Sequence, residues 1–544
     1  MPEGNTPAPA QPEAISRADK LNTRAAGVVG LAVLCSRVLG LAREQIFAAL
    51  FGGGRVMDAF TIAFRIPNLL RDLFAEGALS TAFVTVFTRT AALQDGAAAW
   101  RLANKVATLT VVVLSAITVL GIITAPWLVA LLAPGFDPAK AALTVTLTRI
   151  MWPFIVLVSL AALVMGMLNA RNVFGMPAMA SSFFNLGSIM AGVLLGYWLD
   201  PHFGPRAILG LAIGTLVGGG LQLMVQLPAL RHEGYRFRPD LHWRDPGVRA
   251  ILRLMGPSVI AASTTQVNVL VNSVFASELG DGPTFWLTVA FRLMQLPLGI
   301  FGVALGTVAL PLLARMAATG NTAAFRSELA HGMRLAFLMT IPASIGLIVL
   351  AEPIISVLYQ HGRFGAHETA ESAGALRFYA IGLCGYAALK VLVNAFYALD
   401  RRKTPMVVSF IAVALNLLLN WVFTFQLGWG HRGLAFSTAC VASSNFLILY
   451  FLMRAQLGRL ESRAMLALLG KVALASAALF AVSWAGAHLL LADWAVQPFW
   501  PKCASLVLVI GVGAAAFFLC ANALGIREVH DIMAGLRRRL RRTA

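Results

Sequence analysis

Apolar runs long enough to cross a bilayer recur along nearly the whole chain. A transmembrane helix needs about 20 consecutive apolar residues, because the hydrocarbon core of a membrane is about 30 Å thick. Glycines inside these runs, as in GLAIGTLVGGG at 210–220, indicate close packing between helices. The pattern predicts fourteen membrane-spanning helices, at roughly 27–50, 57–88, 104–131, 142–169, 176–199, 207–230, 250–277, 284–313, 329–351, 371–399, 405–427, 432–456, 465–490 and 500–525.

The composition agrees with this pattern. Of the 544 residues, 58% are apolar and 12% are charged, and the mean hydropathy is +0.77. Soluble domains carry about 25% charged residues. The chain is therefore expected to be an all-α polytopic membrane protein. Its first 24 residues are polar and rich in Pro and Ala, and they are expected to form a flexible cytoplasmic tail.

The net charge of +19 is unevenly distributed along the chain. If the fourteen spans alternate from a cytoplasmic N-terminus, the inside segments hold about 27 Lys and Arg residues and the outside segments about six. Cytoplasmic loops of membrane proteins carry such an excess, so both termini are predicted to be cytoplasmic. The basic ending LRRRLRRTA is interpreted as an anchor to anionic lipid, and no nucleic-acid partner is expected.

Two stretches of the chain repeat each other. AFRIPNLLRDLFAEGALSTAFVTVFTRTAA at 63–92 matches AFRLMQLPLGIFGVALGTVALPLLARMAA at 290–318, and Arg65 falls on Arg292. The offset equals six spans, an even number, so both copies cross the membrane in the same direction. The prediction is two six-helix bundles as parallel repeats, followed by two extra helices: tail 1–24, first bundle 25–230, cytoplasmic linker 231–249, second bundle 250–457, extra helices 458–526 and basic tail 527–544.

Motifs of soluble catalytic sites are missing from the sequence. It contains no phosphate-binding loop with the Walker pattern, no HExxH, no GxSxG and no CxxC. The five cysteines are scattered and have no metal-ligand spacing. We therefore expect a protein that is not an enzyme, with no metal and no cofactor.

Basic residues inside the apolar runs are the main candidates for function. Each would cost about 2.5–3.5 kcal/mol at a helix centre facing lipid, so each is expected to face the protein interior or a water-filled cavity. Those nearest the predicted helix ends, Arg334, Arg377 and Lys471, are expected to reach the membrane surface. The basic residues outnumber the acids of the runs by about ten to four: Arg37, Arg43, Arg65, Arg71, Arg149, Arg292, Arg334, Arg377, Lys390 and Lys471 against Glu44, Asp58, Asp72 and Glu76.

This surplus of arginine predicts an anion-binding cavity. Arginine keeps its charge when desolvated and presents a planar fork that fits phosphate. Because Arg65 and Arg292 occupy matching positions in the repeat, we expect a central cavity between the bundles that opens to each side in turn and binds a phosphate or diphosphate.

Three stretches carry a family resemblance. SRVLGLARE, DAFTIAFRIPNLLRDLFAEGALSTAFV and FRLMQLPLGIFGVALGTVALPLLAR resemble the MurJ (MviN) lipid II flippase family, in the multidrug/oligosaccharidyl-lipid/polysaccharide exporter superfamily. The resemblance covers residues from about 27 to 525. It implies a bacterial inner-membrane protein that moves lipid II, an undecaprenyl-diphosphate-linked disaccharide-pentapeptide, from the cytoplasmic to the periplasmic leaflet by alternating access. It also implies a groove for the lipid tail between the last two helices.

The resemblance assigns roles to particular residues. Matching motifs place the substrate-binding arginines at Arg37, Arg43, Arg71 and Arg292, and the internal repeat adds Arg65. Asp58 matches a family position and is expected to balance charge or gate the cavity. The acids Glu44 and Glu76 are expected to have the same role, in charge balance or gating. Membrane lipids are expected partners, and other proteins of cell-wall synthesis remain an open alternative.

Two departures from the family concern the second bundle. Phe291 and Gln295 stand beside Arg292, where relatives can have acidic neighbours, so the resemblance does not supply a salt bridge there. Some relatives imply a sodium site in the second bundle. The candidate ligands that this chain offers are all amides: Asn268, Asn272, Asn416 and Asn420. Since hard cations prefer charged oxygen ligands, membrane potential or a proton is an alternative driving force.

Three other functions compete with this interpretation. A drug/cation antiporter of the same fold would favour acids and aromatics in the cavity over surplus arginine. An O-antigen lipid flippase has the same physical requirements, so only the motifs argue against it. A membrane scaffold without transport predicts that the buried arginines are structural, and that their removal lowers the amount of folded protein.

Overall fold

The computed structural model describes residues 12–72, 79–492 and 497–530, and it contains no strand within these ranges. The predicted all-α class is confirmed. The first ten helices are α1 Pro12–Phe51, α2 Arg55–Leu70, α3 Ser80–Leu93, α4 Gly96–Leu132, α5 Pro138–Met151, α6 Phe154–Ala170, α7 Gly175–Leu199, α8 Ile208–Met224, α9 Leu227–His232 and α10 Pro246–Ser277. The next ten are α11 Pro283–Pro297, α12 Val303–Ala318, α13 Thr322–Val349, α14 Ala351–Tyr359, α15 Ala366–Ile381, α16 Leu383–Ala398, α17 Lys403–Trp421, α18 Gly430–Leu457, α19 Ser462–Leu489 and α20 Phe499–Ala523.

The helices are long enough to make the chain a multi-pass membrane protein. Ten helical segments in the described ranges have the length and hydropathy of a membrane span, and the bent pair α15 and α16, at 43°, raises this number to eleven. The predicted span 57–88 falls on α2 and α3, on either side of residues 73–78, which lie outside the description. Helix α1 begins at Pro12, inside the segment predicted as a tail.

The chain divides into two compact units. Unit 1 contains residues up to Phe47, Ala63–Trp127 and Ala142–Ala262. Unit 2 contains Ala48–Ile62, Leu128–Ala141 and the chain from Ser263 onward. Two short segments from the sequence of the first predicted bundle, 48–62 and 128–141, are therefore grouped with unit 2.

Helices α7 and α8 of unit 1 approach each other through glycine. A Cβ atom added to Gly214 would lie 2.5 Å from the backbone nitrogen of Gly192, and one added to Gly210 would lie 2.3 Å from that of Gly196. A residue with a Cβ atom would clash at these positions, so only glycine allows the backbones of α7 and α8 to approach this closely. The glycine-rich stretch of α8 is thus a packing surface.

The predicted linker is fastened to α4. The side chain of Asn104 donates to the carbonyl of Arg236 and accepts from the amide of Arg238, while the Asp245 carboxylate lies 2.6 Å from Lys105 Nζ. The buried Tyr235 ring packs on Trp100 with centroids 5.3 Å apart. Burial raises the pKa of Tyr235 to about 12. The linker is therefore part of unit 1.

The two extra helices are part of unit 2. Val472 of α19 and Phe517 of α20 form a buried cluster with Leu338 of α13. Ile526 and Val529, just after α20, join the same cluster. This contact seats α19 and α20 against the second bundle.

Candidate functional site

The stretch of α1 that carries Arg37 and Arg43 is held by α7. Asn185 of α7 donates to the carbonyl of Ser36 at 3.1 Å, and the Arg43 guanidinium carbon lies 5.0 Å from the centre of the Phe184 ring. Arg43 is half-buried, whereas Arg37 is exposed. Within the described part of the chain, Arg37 has no hydrogen-bond or ion-pair partner.

Sequence reasoning did not select Phe184 or Asn185. The signal for Asn185 was that its side-chain amide stands alone in the stretch SSFFNLG of an apolar run. An amide inside a membrane helix needs a hydrogen-bond partner. Phe184 carried no such signal, because an aromatic residue in an apolar run is ordinary.

The arginines of α2 have different surroundings. Arg71 lies directly after α2, and its guanidinium donates to the Asp72 carboxylate at 2.9 and 3.2 Å. Arg65 is half-buried within α2, and Glu44 is half-buried within α1. Glu76 lies outside the described residues.

Arg292 belongs to unit 2, while the other four candidate arginines belong to unit 1. Arg292 is half-buried on α11, and its neighbour Phe291 packs edge-on against the Tyr379 ring, with centroids 5.3 Å apart. Gln295 is exposed one turn further along the helix.

Asp58 lies against a lysine and not against any of the candidate arginines. Its carboxylate Oδ2 is 3.0 Å from Lys140 Nζ, and both side chains are almost completely buried, at 0% and 1% exposure. The sequence analysis did not select Lys140, and this contact was not expected. The pair is part of unit 2.

Three of the four candidate cation-site amides form one hydrogen-bond network. Asn420 Nδ2 donates to Asn272 Oδ1 at 2.8 Å and to Asn416 Oδ1 at 3.3 Å, and the Ser437 hydroxyl donates to Asn420 Oδ1. The fourth, Asn268, has a buried Oδ1 with no partner among the described atoms. Among the described residues no carboxylate takes part in this network, and each of the three linked amide oxygens accepts a hydrogen bond.

Arg334 and Arg377, which lie near the ends of their predicted spans, are paired with acids from outside the apolar runs. Arg334 binds Glu528 at 2.8 Å and Glu461 at 2.5 Å, and Arg377 binds Glu352 at 2.9 Å. Counting acids only inside the runs therefore overstated the surplus of basic residues. Arg37 and its neighbours on α1 and α2 are the better candidates for ligand binding.

Known proteins of similar fold are transporters. The chain is similar to a structure described as a lipid II flippase MurJ in an inward closed conformation, with 25% identity and a TM-score of 0.73, covering 90% of this chain and 98% of that one. An inward-facing multidrug resistance MATE family transporter of the MOP superfamily has the same fold, with a TM-score of 0.66 at 15% identity over 78% of this chain and 96% of that one. The fold thus defines a polytopic helical transporter.

Sequence similarity narrows this class to one family. A family model for lipid II flippase MurJ matches residues 47–504. The lipid II flippase MurJ of Burkholderia cenocepacia is 38% identical over 427 residues, which cover 77% of this chain and 81% of that protein. A probable lipid II flippase MurJ of Vibrio cholerae is 33% identical over 513 residues, 92% of this chain and 95% of that protein. The chain belongs to the MurJ family of lipid II flippases, and the resemblance seen in its motifs is confirmed.

Proposed function

We propose that this protein carries lipid II from the cytoplasmic to the periplasmic leaflet of the bacterial inner membrane, with both of its termini in the cytoplasm. Membership of the MurJ family supports the substrate, and the inward-facing MATE transporter of the same fold supports alternating access. The polar head cannot cross bare hydrocarbon, since its phosphates and sugars would lose their hydration without replacement. A protein that shields the head while the tail stays in lipid removes that barrier.

The observation that carries this proposal is the state of Arg37. It is exposed on an apolar helix and has no partner within the described ranges, six positions before the half-buried Arg43. A charge in that place is costly unless it faces water or a ligand. Together with Arg43, Arg65, Arg71 and Arg292, it would bind the diphosphate and its attached sugar, because a guanidinium fork matches phosphate oxygens.

The extra helices would guide the lipid tail. Leu466, Leu474 and Trp484 of α19 and Val507 and Leu519 of α20 are exposed apolar side chains. An undecaprenyl chain can lie along such a surface without exposing apolar area to water, so α19 and α20 would supply its path along unit 2.

For the driving force we propose membrane potential or a proton, and not sodium bound at the asparagine cluster. The linked amide oxygens of Asn272, Asn416 and Asn420 are already occupied by protein donors. Sodium would have to share those oxygens with the protein donors and would gain no carboxylate in return.

The proposal is tested in cells depleted of their own lipid II flippase. Wild type and Arg43→Ala are compared for the amount of membrane-inserted protein and for lipid II heads accessible to a reagent confined to the outer face. Accessible lipid II with the wild type, lost in the variant at equal protein level, is the expected result. Absence of accessible lipid II despite normal insertion of the wild type would refute the flippase function. Loss of the variant protein itself would make Arg43 a structural residue.

Arg149→Ala is the matched control for this experiment. Arg149 is also an exposed arginine in an apolar helix of unit 1, but its Nε donates to the carbonyl of Ile122 at 3.2 Å. Its replacement is expected to leave the accessible lipid II unchanged. An equal loss in both variants would show a general effect of removing positive charge from the membrane.

A further inference from the structure

A buried charge cluster joins three distant parts of the sequence within unit 2. Lys140 Nζ lies 3.0 Å from Asp58 Oδ2, 2.8 Å from Asp281 Oδ1 and 3.2 Å from the carbonyl of Gly280. It also lies 4.0 Å from the centre of the Phe136 ring. The ammonium group is thus surrounded by two carboxylates, one carbonyl and one aromatic face, which together replace its hydration shell.

Asp58 uses its remaining hydrogen-bonding capacity to cap another helix. Its Oδ2 accepts from the amide of Gly282 at 2.7 Å and its Oδ1 from the amide of Phe285 at 2.9 Å. These amides belong to the N-terminal turn of α11, where free N–H groups and the helix dipole favour a negative charge. A side chain from α2 therefore does what the residue before a helix usually does itself.

The capping position of α11 cannot supply its own side chain. Gly282 has a φ of +110°, and a Cβ atom there would lie 2.2 Å from the Trp286 ring. Only glycine fits this position, so the cap must come from another part of the chain. Asp58 is the residue that provides it.

Lys140 occupies a place where lysine is otherwise unfavourable. It lies in the first turn of α5, whose N-terminus is capped by Asp137 through the amides of Ala139 and Lys140. Positive charge at a helix N-terminus opposes the helix dipole. The contact with Asp58 offsets that cost, which gives the lysine a reason to be at this position.

The other charges near the cluster lie on its exposed side. Arg55 contacts Asp137 and lies 3.7 Å from Asp281, and the side chains of these three residues are 40–49% exposed. Water screens them, so their contribution is small. The buried part of the cluster is the single pair of Asp58 and Lys140.

We propose that Lys140 is a positioning residue for transport. Its ammonium balances the buried carboxylate of Asp58, and Asp58 in turn fixes the N-terminus of α11, the helix that carries Arg292. Arg292 lies ten residues beyond Gly282, about 15 Å along the helix axis, so the lysine acts on it through the position of α11. This inference rests on the proposed function, because Arg292 matters only if it binds the transported head.

The test variant is Lys140→Met, which keeps the length of the side chain and removes its charge. A buried carboxylate left without its partner is strongly unfavourable, so the Asp58 cap should loosen. We expect hydrogen exchange at the amides of Gly282 and Phe285 to become at least tenfold faster. Flipping of lipid II, measured in vesicles at equal protein amount, should fall at least tenfold.

Three further variants separate positioning from general damage. Asp281→Asn removes the charge of the half-exposed partner of Lys140. It should change the amide exchange rate and the flipping rate less than threefold. Lys140→Arg keeps the charge and should retain the amide protection. The double variant Asp58→Asn with Lys140→Met leaves no unpaired buried charge. Its side-chain amide has one acceptor oxygen, so exchange at only one of the two backbone amides, Gly282 or Phe285, should return to within about threefold of the wild type.

Each outcome decides the proposal. Unchanged exchange and unchanged flipping in Lys140→Met would overturn it, and so would faster exchange with normal flipping, which would mean a purely structural pair. If Lys140→Met does not accumulate, the double variant replaces it: recovered protein with exchange recovered at one of the two amides supports the proposal, and no recovery overturns it. If the wild type does not flip lipid II, the proposed function fails, while amide exchange still tests the contact between Lys140 and α11.

Discussion

Two sites in apolar helices, one in each unit, treat ionised side chains in opposite ways. Arg37 of unit 1 is exposed and has no partner in the ranges that the structure covers, whereas Asp58 and Lys140 of unit 2 are buried against each other. A buried pair is costly to break, but it is closed to a ligand. An exposed arginine adds little to stability and can exchange water for phosphate. Burial and pairing therefore separate charges that build the fold from charges that bind.

The strongest test of this comparison is Asp58→Ala. It removes the cap of α11 and leaves Lys140 buried without its main counter-charge, so the free energy of unfolding should fall by about 3–5 kcal/mol. Denaturant unfolding of the purified protein measures this. Asp281→Ala is the control, because that carboxylate is half-exposed and its loss should cost less than about 1 kcal/mol. Equal losses in the two variants would contradict the special role of the buried pair.

Arg37→Gln tests the other half of the comparison. Flipping should fall about a hundredfold, equivalent to about 2.7 kcal/mol of lost transition-state stabilisation, while the unfolding free energy stays within about 0.5 kcal/mol. Arg149 donates a hydrogen bond to the carbonyl of Ile122. Arg149→Gln should therefore leave flipping unchanged. A large loss of stability in Arg37→Gln would make this arginine structural and would remove the contrast between the units.

The sequence predicted the fold well where the signal is local. Long apolar runs located α4, α7, α13, α19 and α20, since the hydrophobicity of a span depends only on its own residues. The grouping of residues 48–62 and 128–141 with unit 2 could not be predicted in this way. It depends on contacts between segments far apart in the chain.

The candidate site shows the same limit. Motifs gave the positions of Arg37 and Arg43, but the contact of Asp58 with Lys140 joins residues 82 positions apart, and no local pattern indicates it. The count of acids and bases failed for Arg334 because Glu461 and Glu528 approach it from outside the apolar runs. Charge balance in a membrane protein is set in three dimensions and is only partly visible along the chain.

Gly214→Ala tests how the packing of unit 1 contributes to stability. Unit 1 packs α7 on α8 through glycine, so a methyl group 2.5 Å from the backbone nitrogen of Gly192 should push the helices apart. We expect a loss of about 1–3 kcal/mol in unfolding free energy. Gly220→Ala on the same chain segment is the control, since nothing lies within 4 Å of its added Cβ. Because alanine has the higher helix propensity, Gly220→Ala should not destabilise the protein, and an equal loss of stability in both variants would contradict the packing role of Gly214.

The smallest expected effect concerns sodium. The amides of Asn272, Asn416 and Asn420 in unit 2 bond to one another and to Ser437, so they resemble the Asp58 pair in being satisfied by the protein. Replacing sodium by potassium in the assay should therefore change flipping less than twofold, with the membrane potential held constant. Asn420→Ala should lower stability by about 1–2 kcal/mol, because it removes the hydrogen bonds of Asn420 with Asn272, Asn416 and Ser437, and should keep flipping independent of sodium. A fivefold fall without sodium, abolished by Asn420→Ala, would make the asparagine cluster an ion-binding site. Polar groups already bonded to one another would then have to open for the ion, which would make this cluster a moving part of the transport cycle.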